Sequence, residues 1–265
     1  MINITIVTAF FDISREIDGD GRKLNDYLEW IKKTLELNCN LFIVTEKKFI
    51  EFMKDNRPKE YMNKTHIIED KLENASYYKY IPRIREILND NNYKKKIEHP
   101  NRVECKLPEY NIIQYSKFGW LKQAINLNIF KSDCFFWMDI GCSRFFLDTN
   151  INNIYPNPNN KIICENNNKF IIQQRQDLQN YNIDENFIWK SDNLLKGTMF
   201  GGSRYIIFVI DELLEDIFTK QMLEKNNVNN EQLGLTLVWK KNPELFNLIN
   251  DTSNNHLMLF KLLSA

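Results

Sequence analysis

The chain has 265 residues, with 35 Lys and Arg against 35 Asp and Glu, so its formal charge is zero. That balance gives no electrostatic footing for general nucleic-acid binding or for adhesion to an anionic membrane. Hydrophobic residues make up 43 % of the chain and aromatic residues 13 %, enough to build a sizeable core and to exclude a disordered chain.

Taken in chain order, Asn3–Phe11 is β-branched and apolar at nearly every position, the pattern of a strand buried on both faces. A polar loop, Asp12–Lys23, separates it from an amphipathic helix predicted over Asn25–Leu37, where Leu28, Ile31 and Leu35 recur at helical spacing. Asn40–Thr45 is a second buried strand, Lys47–Asp55 a short helix ended by Arg57-Pro58, and Thr65–Glu69 a third strand. Tyr77–Asn89 reads as helical with Pro82 near its start. Lys94-Lys95-Lys96 reads as a solvated surface turn.

Tyr110–Asn128 is a strong helix prediction, and Asp133–Asp139 is an apolar run that stops at an acid. Asn150–Asn160, with two prolines, reads as a loop inside one domain. Lys161–Cys164 and Lys169–Gln173 are expected strands, Met199–Ser203 a glycine turn, Tyr205–Lys225 a long helix and Glu231–Lys240 another. Strands alternating with helices predict an α/β fold: one domain over residues 1–265, its sheet mostly parallel, twisted and flanked by helices.

Five cysteines, an odd number without a CxxC pair, argue against a disulfide framework or zinc site and fit a reducing compartment. The first residues lack the basic and small-residue marks of a signal peptide, and no run approaches the ~20 apolar residues of a membrane span. The expected location is therefore cytoplasmic. Walker, GxGxxG, GxSxG and HExxH patterns are all missing, which argues against the chemistries they serve.

Three segments remain as candidate sites. In Phe135–Arg144, a hydrophobic strand delivers Asp139 at its carboxyl end, with Gly141 and Arg144 following. Ligands of open α/β sheets bind at such ends. A carboxylate there can hold a cation and an arginine a phosphate, but an Asp can equally cap the next turn. Gly197–Ser203 places glycines before a helix, suited to a sugar or phosphate on backbone amides or simply to a tight turn. Glu231 opens a helix, where it either complements the helix dipole or faces an acceptor hydroxyl. His256, in a polar stretch, is a possible second metal ligand beside Asp139, whereas His66 and His99 read as structural or exposed.

Together these blocks resemble the HtrL/YibB family of glycosyltransferase-like proteins. The matching residues are Val7–Arg15, Tyr115–Trp120, Asn128–Phe130, Phe136–Phe145, Phe200–Gly202, Asn230–Gln232 and Asn242–Phe246, with Trp137-x-Asp139-x-Gly141-x-Ser143-Arg144 the most specific. The resemblance implies a GT-A-like domain, with residues 1–145 forming a nucleotide-binding half and 146–265 an acceptor- and sugar-binding half. It implies transfer of a sugar from a nucleoside diphosphate sugar, UDP being the commonest carrier, to a glycan or glycolipid hydroxyl in surface-glycan synthesis. Thr8, Phe10, Phe11, Arg15, Lys117, Gly141, Arg144, Gly201 and Gly202 become donor-site candidates. Asp139 and Glu231 become the catalytic acids, and Asp139 with His256 the ligands of Mn²⁺ or Mg²⁺. The second acid of an Asp-x-Asp motif is absent, because position 141 is glycine. A nucleotide-sugar-binding protein without turnover, and a nucleotidyltransferase or sugar-nucleotide hydrolase, are the alternatives.

Overall fold

The structure is a computed structural model that describes residues 2–146, 153–166, 168–250 and 258–265. Seven strands form one sheet: β1 (Ile4–Phe10), β2 (Asn40–Thr45), β3 (Thr65–Glu69), β4 (Cys134–Met138), β5 (Phe170–Gln174), β6 (Leu195–Ser203) and β7 (Phe246–Asn250). Their order is β3-β2-β1-β4-β6-β5-β7. β1 pairs in parallel with β2 and β4, β2 with β3, and β5 with β7, whereas β6 runs antiparallel to both β4 and β5. The α/β, mostly parallel architecture is thus as expected, with one reversed strand near its centre.

Strand chemistry explains the layering. Successive side chains of a strand point to opposite faces. Val7, Ala9, Phe42, Val44, Phe135 and Trp137 pack into one core. Ile4, Ile6, Leu41, Ile43, Phe136 and Met138 pack into the other. The helices are α1 (Arg15–Asp18), α2 (Leu24–Leu35), α3 (Ile50–Asn56), α4 (Ile81–Asn89), α5 (Asn91–Lys96), α6 (Pro108–Leu127), α7 (Lys161–Asn166), α8 (Arg204–Asp216), α9 (Glu231–Lys241) and α10 (Met258–Leu263). The first core is covered by α4, α6, α8 and α9, the second by α2, α3 and α10.

α6 lies against β1, β4, α8 and α9 and is buried along most of its length. Pro108 opens it, where a missing N–H costs nothing. Gly119 lets it approach the chain at Ser76, whose Oγ would lie 2.4 Å from an added Cβ.

Three sequence expectations need correction. Lys161–Cys164 is the start of α7, not a strand. Met199–Ser203 is no turn but the second half of β6, where Gly201 pairs with Phe136 and Gly202 with Phe135. A Cβ on Gly201 would sit 2.3 Å from the Phe135 carbonyl oxygen and 2.5 Å from the Phe136 ring, so glycine here serves close strand packing. Lys94–Lys96 are exposed as expected, but on the short helix α5. β7 escaped the sequence reading altogether. No helix among the described residues is long and apolar enough to cross a membrane. All five cysteines are free, and only Cys164 is exposed.

Candidate functional site

The carboxyl ends of β1 and β4 open onto a cavity of about 520 Å³. Its floor and walls come from the residues after β1, the start of α2, one face of α6, the β4 end, the first half of β6 and the first turn of α9. This volume lies in the range of small-ligand sites.

Asp139 follows β4 directly, and its backbone N–H donates to the Thr198 carbonyl at 2.9 Å. Its side chain does not cap the following turn. Instead Oδ1 accepts from the Trp137 indole at 2.7 Å and from Lys117 Nζ at 3.0 Å, and the side chain remains 42 % exposed. The capping alternative is therefore wrong: this carboxylate faces the cavity.

Lys117 comes from the middle of α6 and is buried. Its ammonium donates to the Gly197 carbonyl at 2.9 Å and to Glu231 Oε1 at 2.7 Å, besides Asp139. An ammonium has three N–H donors, and these three oxygens use them all. Burial opposes the charge of Lys117, but Asp139 and Glu231 outweigh it and hold the lysine's pKa above its usual value.

Glu231 is buried in the first turn of α9. Burial pushes its carboxyl pKa up, Lys117 pulls it back, and the net shift is upward. Its Oε2 has no hydrogen-bond partner among the described residues, nor has the buried Oε1 of Gln114 on the same cavity wall. Space for the Glu231 carboxylate exists because position 197 is glycine: a Cβ there would lie 2.2 Å from Oε1. The preceding asparagines fix the helix start. Asn230 caps α9 through the Leu233 N–H at 3.1 Å, and Asn229 donates to the carbonyls of Ile188 and Lys190 at 2.9 and 2.8 Å.

The outer part of the cavity carries three arginines. Arg15 is held by Asp20 through two hydrogen bonds of 3.0 and 2.6 Å, donates to the Tyr27 hydroxyl at 2.6 Å and lies over the Tyr110 ring. Arg22 is 3.6 Å from Asp20. Arg144 is stacked over Trp30 and Phe145, each 4.7 Å from its guanidinium carbon, and has no hydrogen bond or ion pair among the described residues. Partial burial and repulsion by Arg22 lower its pKa. A guanidinium held by aromatic faces with its donors unspent can receive an anion.

The cavity thus gathers Phe10, Phe11, Arg15, Lys117, Asp139, Gly141, Arg144 and Glu231 from widely separated segments. Thr8, Gly201 and Gly202 are not part of its lining: all three are buried inside sheet strands. Gly141 lines the cavity, but its missing side chain serves Trp30, whose ring would lie 3.2 Å from a Cβ. His256 lies outside the described residues. Sequence reasoning missed Arg22, Tyr27, Tyr110 and Gln114. Tyr110, Gln114 and Lys117 stand at helical spacing on one face of α6, and that spacing was the available signal.

The described residues do not fit a divalent cation at Asp139. Among them no three His, Cys, Asp or Glu side chains cluster closely enough to hold one. The oxygens that Asp139 and Glu231 turn toward each other already converge on the Lys117 ammonium.

One similar solved structure is a 4-diphosphocytidyl-2C-methyl-D-erythritol synthase from Anaerococcus prevotii DSM 20548, at 11 % identity and a TM-score of 0.41, covering 96 % of this chain and 89 % of that one. Another is the PaToxG glycosyltransferase, at 11 % identity and a TM-score of 0.36, covering 99 % of this chain and 77 % of that one. Likeness at this level does not say what this chain binds. Among curated proteins, none matches. The profile described as a bacterial protein of unknown function, HtrL_YibB, matches residues 2–265, and the chain belongs to this HtrL/YibB family.

Proposed function

We propose that the chain is a glycosyltransferase that moves a sugar from a nucleoside diphosphate sugar, UDP-linked, to a hydroxyl of a glycan or glycolipid acceptor. One observation carries this reading. Among the described residues, Glu231, whose buried Oε2 has no hydrogen-bond donor, lines the same cavity as Arg144, whose guanidinium has no acceptor. Satisfying both takes a hydroxyl at the carboxylate and an anion at the guanidinium. An acceptor hydroxyl beside a sugar diphosphate has that chemistry.

The residues divide the work. Arg144, with Arg22 on the same cavity lining, receives the diphosphate through charge-assisted hydrogen bonds. Phe10 and Tyr27, whose ring centroids are 5.8 Å apart, give the base an apolar surface. Gln114 and Asp139 accept from sugar hydroxyls, and the Asp139 carboxylate favours the cationic sugar carbon of the transition state. The bond from that carbon to the diphosphate oxygen breaks with its electron pair, the acceptor oxygen bonds to the carbon, and the acceptor proton passes to Glu231 Oε2. A carboxyl group whose pKa is raised by burial is the better base for that transfer.

Thermal-shift and calorimetric titration with UDP, GDP, CDP and their sugars tests the reading, because a ligand of the folded state raises its midpoint. The expected result is a nucleotide-selective shift that is lost in Arg144→Met, with slow hydrolysis of the bound donor that is lost in Glu231→Gln. Binding without donor cleavage under any acceptor would leave a binding protein, and no nucleotide-dependent shift would remove the donor site.

A further inference from the structure

We propose that Lys117 is the resident cation of this site, standing where the donor's divalent metal is expected, so that donor binding needs no metal. The inference rests on the glycosyltransferase reading for its consequence but not for its geometry.

The Lys117 ammonium sits at the centre of three oxygens, Asp139 Oδ1, Glu231 Oε1 and Gly197 O, at 3.0, 2.7 and 2.9 Å. Two carboxylates and a backbone carbonyl are the donor set that a hard cation prefers. Here they are organised around a point charge on a four-carbon stem. The stem is locked: the side chain is 5 % exposed and its ammonium lies 5.6 Å from the Trp137 ring centre. Glycine at position 197 makes room for the Glu231 oxygen that completes the triad. Position 141, where a second acid would have to stand, carries a glycine pressed against Trp30. A divalent ion bridging Asp139 and Glu231 would have to expel a buried ammonium whose three donors are satisfied. Expulsion strands that charge without partners, a heavy cost for a side chain only 5 % exposed. Lys117 is accordingly a positioning residue. It holds Glu231 Oε1 so that Oε2 faces the acceptor, and Arg144 is left to meet the phosphates.

The test uses Mn²⁺ alone and then with UDP. The Trp137 indole N–H touches Asp139 Oδ1, so in wild-type protein its NMR signal, assigned with Trp137→Phe, reports any paramagnetic ion at Asp139. The expected result is an unbroadened signal in millimolar Mn²⁺, with or without UDP, and a UDP dissociation constant that differs by less than about threefold between Mn²⁺ and EDTA. Broadening of that signal, or UDP affinity more than about tenfold weaker in EDTA, overturns the proposal. Lys117→Ala supplies the independent arm. Removing the ammonium leaves an open acid pair, so Mn²⁺ alone should raise the variant's Tm by roughly 5–10 °C at a hundredfold excess over its Kd, and leave the wild type unmoved. If the variant does not fold, the wild-type signal still decides. If UDP fails to bind under every condition, the donor-site reading falls, while the Mn²⁺ arms still decide whether Lys117 holds the place of the metal.

Discussion

The inner wall and the rim of the cavity handle charge in opposite ways. On the inner wall, Lys117 is buried with all three N–H donors bonded, and each of its acid partners belongs to a different segment of the chain. At the rim, Arg144 lies against the faces of Trp30 and Phe145 and makes no hydrogen bond or ion pair among the described residues. Charges already satisfied inside the protein set geometry, and charges left unsatisfied at a surface set affinity. Substitutions on the wall should therefore act on turnover and stability, and those on the rim on binding.

The largest effect is expected at Glu231. Glu231→Gln keeps the size of the side chain and an oxygen for Lys117 but removes the base. Loss of a general base costs roughly 10²–10⁴-fold in turnover, with donor affinity nearly unchanged. Single-turnover kinetics beside a UDP titration separates the two. A variant that turned over normally would remove Glu231 from the chemistry. Glu231→Ala goes further, because it leaves Lys117 short of a partner, and breaking a buried ion pair costs roughly 3–5 kcal/mol.

The pH profile of the wild type probes the same residue. Burial, only partly offset by Lys117, raises the Glu231 pKa above its ordinary 4.5. The base works ionised, so kcat/KM should rise with pH on an acid limb centred above 4.5, and Glu231→Gln should abolish that limb. The sign for stability is the reverse. The folded chain binds this proton more tightly than the unfolded chain, so the contribution of Glu231 to stability declines as pH rises from 4.5 through the folded pKa. A limb centred below 4.5 would mean that the group lies in a more favourable setting for its charge than burial in this wall provides.

Arg144 comes next. Hydrogen bonds to charged groups contribute about 1.5–3 kcal/mol, so Arg144→Met should weaken UDP binding by roughly 10–100-fold and barely change Tm. Methionine keeps an apolar stem against Trp30. A fall in turnover at saturating donor, with affinity intact, would move Arg144 from the rim role to the wall role.

How much of this contrast could be read in the sequence follows from the strand types. β1, β2 and β4 are buried on both faces of the sheet, so their apolar runs were plain, and Asp139 stood out as the acid that ends one of them. β6 hid itself. It carries Gly197, Gly201 and Gly202, residues that locally favour a turn, and only tertiary packing explains them. The inner-wall triad was legible as separate candidates but not as a unit, because residues 117, 139, 197 and 231 meet only when α6, β4, β6 and α9 are assembled. The arginine rim was half legible: the Ser143-Arg144 block pointed to it, whereas Arg22 lay in a loop with no pattern. Gly201→Ala tests the packing account of β6. An added Cβ meets backbone at 2.3 Å, so a loss of about 1–3 kcal/mol in denaturant unfolding is expected, with UDP affinity per folded molecule unchanged.

The smallest effect is expected at Arg22, and its smallness is informative. The Arg22 side chain is 39 % exposed and touches Asp20 only at 3.6 Å, so it acts on the rim through space rather than by a fixed bond. Exposed charges a few ångströms apart are worth on the order of 1 kcal/mol or less. They also fade as the Debye length shrinks from about 10 Å at 0.1 M salt to about 3 Å at 1 M. Arg22→Ala should therefore weaken UDP binding by only about threefold at low salt, and this difference should vanish at high salt. The Arg144→Met deficit should persist there, because it comes from direct hydrogen bonds. Titrating both variants across a salt series reads this directly. A salt-resistant loss at Arg22 would mean that this side chain bonds the ligand directly, and the rim would then hold it through two arginines rather than one.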